Sequence, residues 1–360
     1  MRPYNVELFT QDFEFVGNTN VNEVLYKEDY LSSDNNNITI LALPGVRKHQ
    51  YIRISRGNEE YAGIVTEVSC GTDKSKKLHC ISYKPLMELL NTDVLFDVSR
   101  QGQGTIEQFI CDLITEMFIN NTDEEQNIKG LSVAAVTSTE NWNLHITPSD
   151  KGGHYNIVNL VNSVIIPALE KYSIFVNTKL DIQNRKMQII VGKAAAGVIT
   201  IESDLPNIIK KNITIRRVSA DVNKLILYDA QNYENSRTYY LHSDLSYDTV
   251  NHDRITPVVC EMQAVSCDEG SSFESMAISA AHDKFANLSY ANLIELTMMN
   301  GDNLVKPEAL EFGQVVDIIS DGVKYRSILT GRERGRNTKL VFGTVRLDLT
   351  KILRREQNGR

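Results

Sequence analysis

The stretch from Leu310 to Arg355 constrains the fold of this chain more than any other. Val315, Asp317 and Ile319 interleave with Val316, Ile318 and Ser320, Asp321-Gly322 follows, and Lys324 to Leu329 run back. Asp-Gly between two strand-like runs is the strongest short signal for a β-hairpin. A basic turn from Gly331 to Lys339 then leads into Leu340 to Phe342, Gly343 and a closing strand from Val345 to Leu349. A period of two with turn residues at each joint dictates a small antiparallel β-domain. No catalytic motif is written into it.

The motifs Phe312-Gly313, Ile328-Leu329-Thr330-Gly331 and Leu340 to Lys351, in this order around an Asp-Gly hairpin, resemble the C-terminus of tail hub proteins. These are the baseplate-hub, tail-tip and tail-associated-lysin N-terminal parts of phages and prophages of Gram-positive bacteria. More faintly, the order of elements upstream resembles such a hub across nearly the whole chain.

Composition agrees with a structural protein. At 360 residues and 42% hydrophobic content the chain can bury substantial cores and divide into two to four subdomains. A net charge of −8 gives no general attraction to nucleic acid or to an anionic membrane. The charge is uneven: residues 324–360 carry 11 Lys/Arg against 3 Asp/Glu, leaving −16 on residues 1–323. This excess reads either as a solvated basic tail or as a basic surface, with Arg332, Arg334 and Arg336 in its turn, that docks an acidic face of a neighbour or of another copy.

The N-terminus MRPYNVELFTQDFEF has charges every few positions and no secretory apolar core, and no apolar run is long enough to span a bilayer. Cys70, Cys80, Cys111, Cys260 and Cys267 are odd in number and lack a CxxC pair. Neither a disulfide framework nor a zinc site is expected from them. Cys111 falls on an apolar helical face and is expected in the core.

Four blocks follow along the chain. Residues 1–104 read as short strands, with turns at Ser32 to Asn36 and Gly71-Thr72-Asp73 and a short helix at Pro85 to Leu90. In residues 105–180, Thr105 and Gln108 form a capping box before Ile106, Phe109, Ile110, Leu113, Ile114, Met117 and Phe118, which share one helical face. A second helix over Tyr155 to Tyr172 should kink or restart at Pro167. Strands Ile174 to Asp181 and Lys186 to Gly192 then turn at Gln183-Asn184-Arg185. Residues 181–269 read as β-rich, and residues 270–360 as a helix capped at Ser271 followed by the closing β-domain.

Three places hold donors of the kind used in catalysis or metal binding. His242, Asp244, Asp248, His252 and Asp253 offer nitrogen and oxygen ligands, but zinc helices want His at i and i+4 and this segment is rich in turns. His145, Asp150 and His154 surround Lys151-Gly152-Gly153 and read as a polar loop. Gly102-Gln103-Gly104 precedes a helix but lacks the third glycine and the lysine of a phosphate cradle. No catalytic, cofactor-binding or metal residue is therefore expected, and no cofactor.

The fold class expected is α+β and mostly β. The resemblance implies two small tube-type β-barrels, at 1–104 and 181–269, a helix-containing insert at 105–180, and a C-terminal barrel-like domain within 270–360. It also implies a homotrimeric ring around the tail channel, made and assembled in the host bacterial cytoplasm. Its partners would be the tail tube or distal tail protein, the tape measure protein and the central spike or tail fibre. Some hubs continue into wall-degrading domains, whereas this sequence stops at Arg360, so the lytic role is expected elsewhere. The rival readings are a wall hydrolase using His242 to Asp253, and a receptor- or carbohydrate-binding module, which a single tryptophan, Trp142, disfavours.

Overall fold

A computed structural model of the chain describes residues 3–31, 35–57, 59–73, 76–95, 104–139, 142, 144, 146, 149–150, 156–193, 199–215, 222–242, 246–252, 258–266, 272–285, 292–300, 305, 307 and 310–343. The fold is mostly β. Its first sheet comes entirely from the N-terminal block, in the order Phe15–Val21, Tyr4–Phe9, Tyr51–Arg56, Glu59–Asp73, Lys76–Pro85, Asn36–Leu41, with every pairing antiparallel. Strand Asn36–Leu41 alternates strictly between buried and exposed, placing Ile38 and Ile40 in a core with Val6, Leu8, Ile52 and Ile81. The sheet curls until its two edge strands approach one another.

The helical block follows the sequence closely. Helix α1 (Ile106–Phe118) is capped by Thr105, whose hydroxyl accepts from the Gln108 N–H at 3.2 Å, and it buries Ile106, Phe109, Ile110, Leu113 and Ile114. The restart expected at Pro167 is present: a wide π-helical turn, Leu160–Ile165, gives way to α2 (Ile166–Tyr172), with the proline in the first turn of α2. Ile165 is itself helical and the Ile166 N–H bonds the Val161 carbonyl, so the chain runs on through the junction and the proline removes one donor where the helix changes type. Ser173 ends α2 in a left-handed conformation, φ 56°. Strands Ile174–Asp181 and Lys186–Lys193 then pair as a hairpin, with Leu131–Ala135 parallel at its edge. Cys111 and Trp142 are buried here, and burial pushes the Cys111 thiol up to about 11.

The C-terminal hairpin also forms as expected. Val315–Ser320 pairs with Val323–Arg334, and the turn residues Asp321 and Gly322 both have positive φ, 52° and 78°. This is the backbone a two-residue hairpin turn requires. The basic turn is shorter than expected, because the strand runs on through Arg334 and only Gly335-Arg336 turn before Asn337–Gly343. The expected strand Val345 to Leu349 lies outside the described residues.

The expected division of the second half meets a different arrangement. Among the described residues, no single sheet covers 181–269, and the closing strands do not stand alone. Ile199–Glu202 pairs in parallel with Val315–Ser320, and Ile208–Ile215 pairs with Asn292–Met299, in one sheet that also contains the C-terminal hairpin. Its core includes Ile201, Ile294, Leu296, Met298, Leu329 and Phe342. Between these segments, Lys224–Asp229, Ser236–Leu241, Tyr247–Asp248 and Cys260–Val265 form a separate four-stranded sheet. Helix α3 (Phe273–Phe285) covers that sheet through Phe273, Ala277, Ala281 and Phe285. Its start is secured by Ser272, whose hydroxyl accepts from the Ser275 N–H; Ser271 lies outside the described residues. Local periodicity reports each strand but not which distant strand it joins, and these pairings reach across most of the second half.

Candidate functional site

The motifs that carry the family resemblance converge on one seam. Strand Tyr26–Asp29 leaves the N-terminal sheet and pairs antiparallel with Gly331–Arg334, matching Asp29 with Gly331 and Glu28 with Arg332. Asn36 holds it there: its carboxamide accepts from the Lys27 N–H at 2.6 Å and donates to the Lys27 carbonyl at 2.9 Å. A side chain at Gly331 would collide with the Asp29 carboxylate. Gly313, at φ 82°, lies so close to the Phe175 ring that a Cβ there would be 2.5 Å from it. Tyr30 completes the junction by accepting the Val176 N–H at 2.7 Å and packing on Phe175 and Phe312. Beside the seam lies a recess of about 360 Å³ lined in part by Glu28, Tyr61, Leu86 and Phe312.

The three arginines expected to form one basic surface are separated. Arg332 lies within 3.9 Å of the Glu28 carboxylate, donates to the Leu310 carbonyl and sits over the Phe312 ring at 5.6 Å. Arg334 is only 4% exposed. Arg336 stands exposed at the turn, where Asn300 donates to the carbonyls of Gly335 and Arg336. Much of the C-terminal basic excess is spent within the chain: Lys324 and Arg326 pair with Asp317, and Lys339 pairs with Glu295. Two carboxylates of this sheet respond in opposite directions. Burial raises Glu28 against the pull of Arg332 and Arg334, whereas the Arg326 hydrogen bond, aided by Lys324, holds Asp317 below the usual range. The role of strand Tyr26–Asp29 was invisible in the sequence, because four residues of mixed polarity carry no periodic signal.

The second cluster is in the inserted sheet. Spacing spoke against a shared site for the donors of His242 to Asp253, yet the hairpin Ser236–Leu241/Tyr247–Asp248 and the turn after it bring three of them together. His242 is 2% exposed; its Nδ1 donates to the His252 carbonyl at 2.6 Å, and its Nε2 faces Asp248 Oδ1 at 3.1 Å. The His252 ring stacks on the His242 ring with centroids 4.2 Å apart. Asp248 also accepts the Val250 N–H at 2.6 Å, and that bond keeps its carboxyl below the usual range. Asp244, Asp253, His145, His154, Gly102 and Gln103 lie outside the described residues.

No protein-family model matches this sequence, and no curated protein matches it. Solved structures do resemble it over nearly its full length. A tail protein from Neisseria meningitidis MC58 has a TM-score of 0.55 at 12% identity, covering 95% of this chain and 96% of that one. The 43 kDa tail protein of prophage MuSo2 from Shewanella oneidensis scores 0.54 at 12% identity, covering 95% and 98%. Prophage tail protein gp18 from Listeria monocytogenes EGD-e scores 0.53 at 12% identity, covering 98% of each chain. With hosts this varied, the fold does not single out Gram-positive bacteria. Over 95–98% of its length the chain shares the fold of these tail proteins.

Proposed function

We propose that this chain is a structural hub of a phage-type tail, acting as a homotrimeric ring that joins the tail tube to a central spike or fibre. The observation that carries the reading is the full-length likeness to three tail proteins, in which 95–98% of this chain is covered. The role is taken as mechanical rather than enzymatic. The two curled sheets joined by Tyr26–Asp29 fit the tube-type barrels of such a hub, two per subunit, so that three subunits present a six-fold-like face to the tube.

Subunit contacts are assigned to surfaces still open in the single chain. Phe15 and Leu41, 59% and 51% exposed, lie on the approaching edge strands of the first sheet. Arg336 is the accessible member of the arginine group. Replacing Arg336 with Ser should weaken assembly in a salt-sensitive way while leaving the monomer folded. Electron microscopy of the purified chain tests the whole reading: rings with three-fold symmetry and an open centre are expected, and particles without rotational symmetry would count against it.

A further inference from the structure

Among the described residues, one group of ligating side chains converges without a role in the hub reading: His242, Asp248 and His252, whose donor atoms lie within 4.8 Å of one another. The His242 Nδ1 contacts a backbone carbonyl, which can only accept, so that nitrogen carries the hydrogen. In the neutral ring Nε2 then presents a lone pair, and it points at a carboxylate oxygen 3.1 Å away that presents lone pairs of its own. Something positive belongs between them.

A proton would satisfy that pair alone and would not engage the third donor, the stacked His252 ring. A metal ion uses all three. Bonds of about 2.0–2.2 Å to nitrogen and carboxylate oxygen place neighbouring ligands roughly 3–3.5 Å apart, which the Nε2–Oδ1 separation already meets. His252 is exposed, and its ring already lies against that of His242. The Nδ1–H contact to a carbonyl is the outer-shell support that orients metal-binding imidazoles. Two imidazoles and one carboxylate select borderline divalent ions such as zinc, cobalt or nickel over calcium or magnesium, which want a shell of oxygens.

We propose that His242, Asp248 and His252 bind one zinc-class divalent ion that ties the end of strand Ser236–Leu241 to the turn after Tyr247–Asp248.

The test uses the untagged full chain, stripped with a chelator and titrated with Zn2+ by calorimetry and with Co2+ by visible absorption. Expected are one ion per chain, cobalt d–d bands, and a rise in melting temperature on adding Zn2+. His252→Ala and Asp248→Asn each alter exposed or half-exposed side chains and should leave the fold intact while weakening affinity by at least about tenfold. His242→Ala should abolish binding. Absence of saturable binding would overturn the proposal. So would binding that survives both exposed-site substitutions, or an NMR signature of a doubly protonated His242 that Zn2+ leaves unchanged.

Discussion

The first and last sheets make an instructive pair. The N-terminal sheet is built wholly from residues 4–85, and its strand pairs are closed by connections confined to that block. The last sheet gathers Tyr26–Asp29, Ile199–Ile215 and Asn292–Gly343, so it cannot close until most of the chain has been made and positioned. Both bury a comparable apolar interior. They differ in the chain entropy that must be surrendered before that interior forms, which makes the last sheet the slower to assemble.

The largest effect that would break this comparison is expected at Gly343. Its φ is 97°, and a Cβ would run into the Asn292 carbonyl, so Gly343→Ala should cost about 3 kcal/mol or more. Hydrogen exchange should then show protection lost over 292–343 and retained over 4–85. Loss in both would mean that the two sheets unfold as one unit. Next come the separate cores: Leu296→Ala and Ile52→Ala, both at fully buried positions, should each cost about 3 kcal/mol. In denaturant titrations their effects should add to within about 0.5 kcal/mol, because the side chains belong to different clusters.

The seam offers a smaller test. Tyr30→Phe removes the acceptor of the buried Val176 N–H and should cost about 1–3 kcal/mol. Asn36→Ala should do the same by freeing Lys27.

Smallest are the opposed carboxylates. Asp317, held low when folded, contributes stability above the ordinary carboxylate range that is lost as pH falls through its folded value. Asp317→Asn should therefore flatten the acid limb of the stability profile. Its partners Lys324 and Arg326 are more than half exposed, so the loss at neutral pH should be about 1 kcal/mol or less. Glu28 is raised, so its contribution is present in acid and lost as pH rises through its folded value. Glu28→Gln should consequently be neutral or stabilising at pH 7. Thermal melts between pH 3 and pH 8 separate the two signs.

What the sequence made legible follows the same division. The Thr105 cap, the restart at Pro167, the 181–186 turn and the Asp321-Gly322 hairpin are each decided by residues within a few positions of one another and are present, although Gln108 donates to Asp112 instead of closing the capping box. The boundaries of the second half were misread because partnership between 208–215 and 292–299 leaves no local trace. The arginine group was misread for a related reason: Arg332 and Arg334 meet a strand some three hundred residues earlier in the chain, so a run that looks like a free basic turn is largely interior. His242, Asp248 and His252 are legible as donors but not as neighbours, because their spacing is not helical and a hairpin with the turn after it brings them together.

The central claim is that three copies of this chain close a ring, and the solution mass of the purified protein tests it most directly. Light scattering behind a sizing column, run over a range of concentrations and at low and moderate salt, should give three times the 40.6 kDa chain mass. A mass of 40.6 kDa under every condition would contradict it.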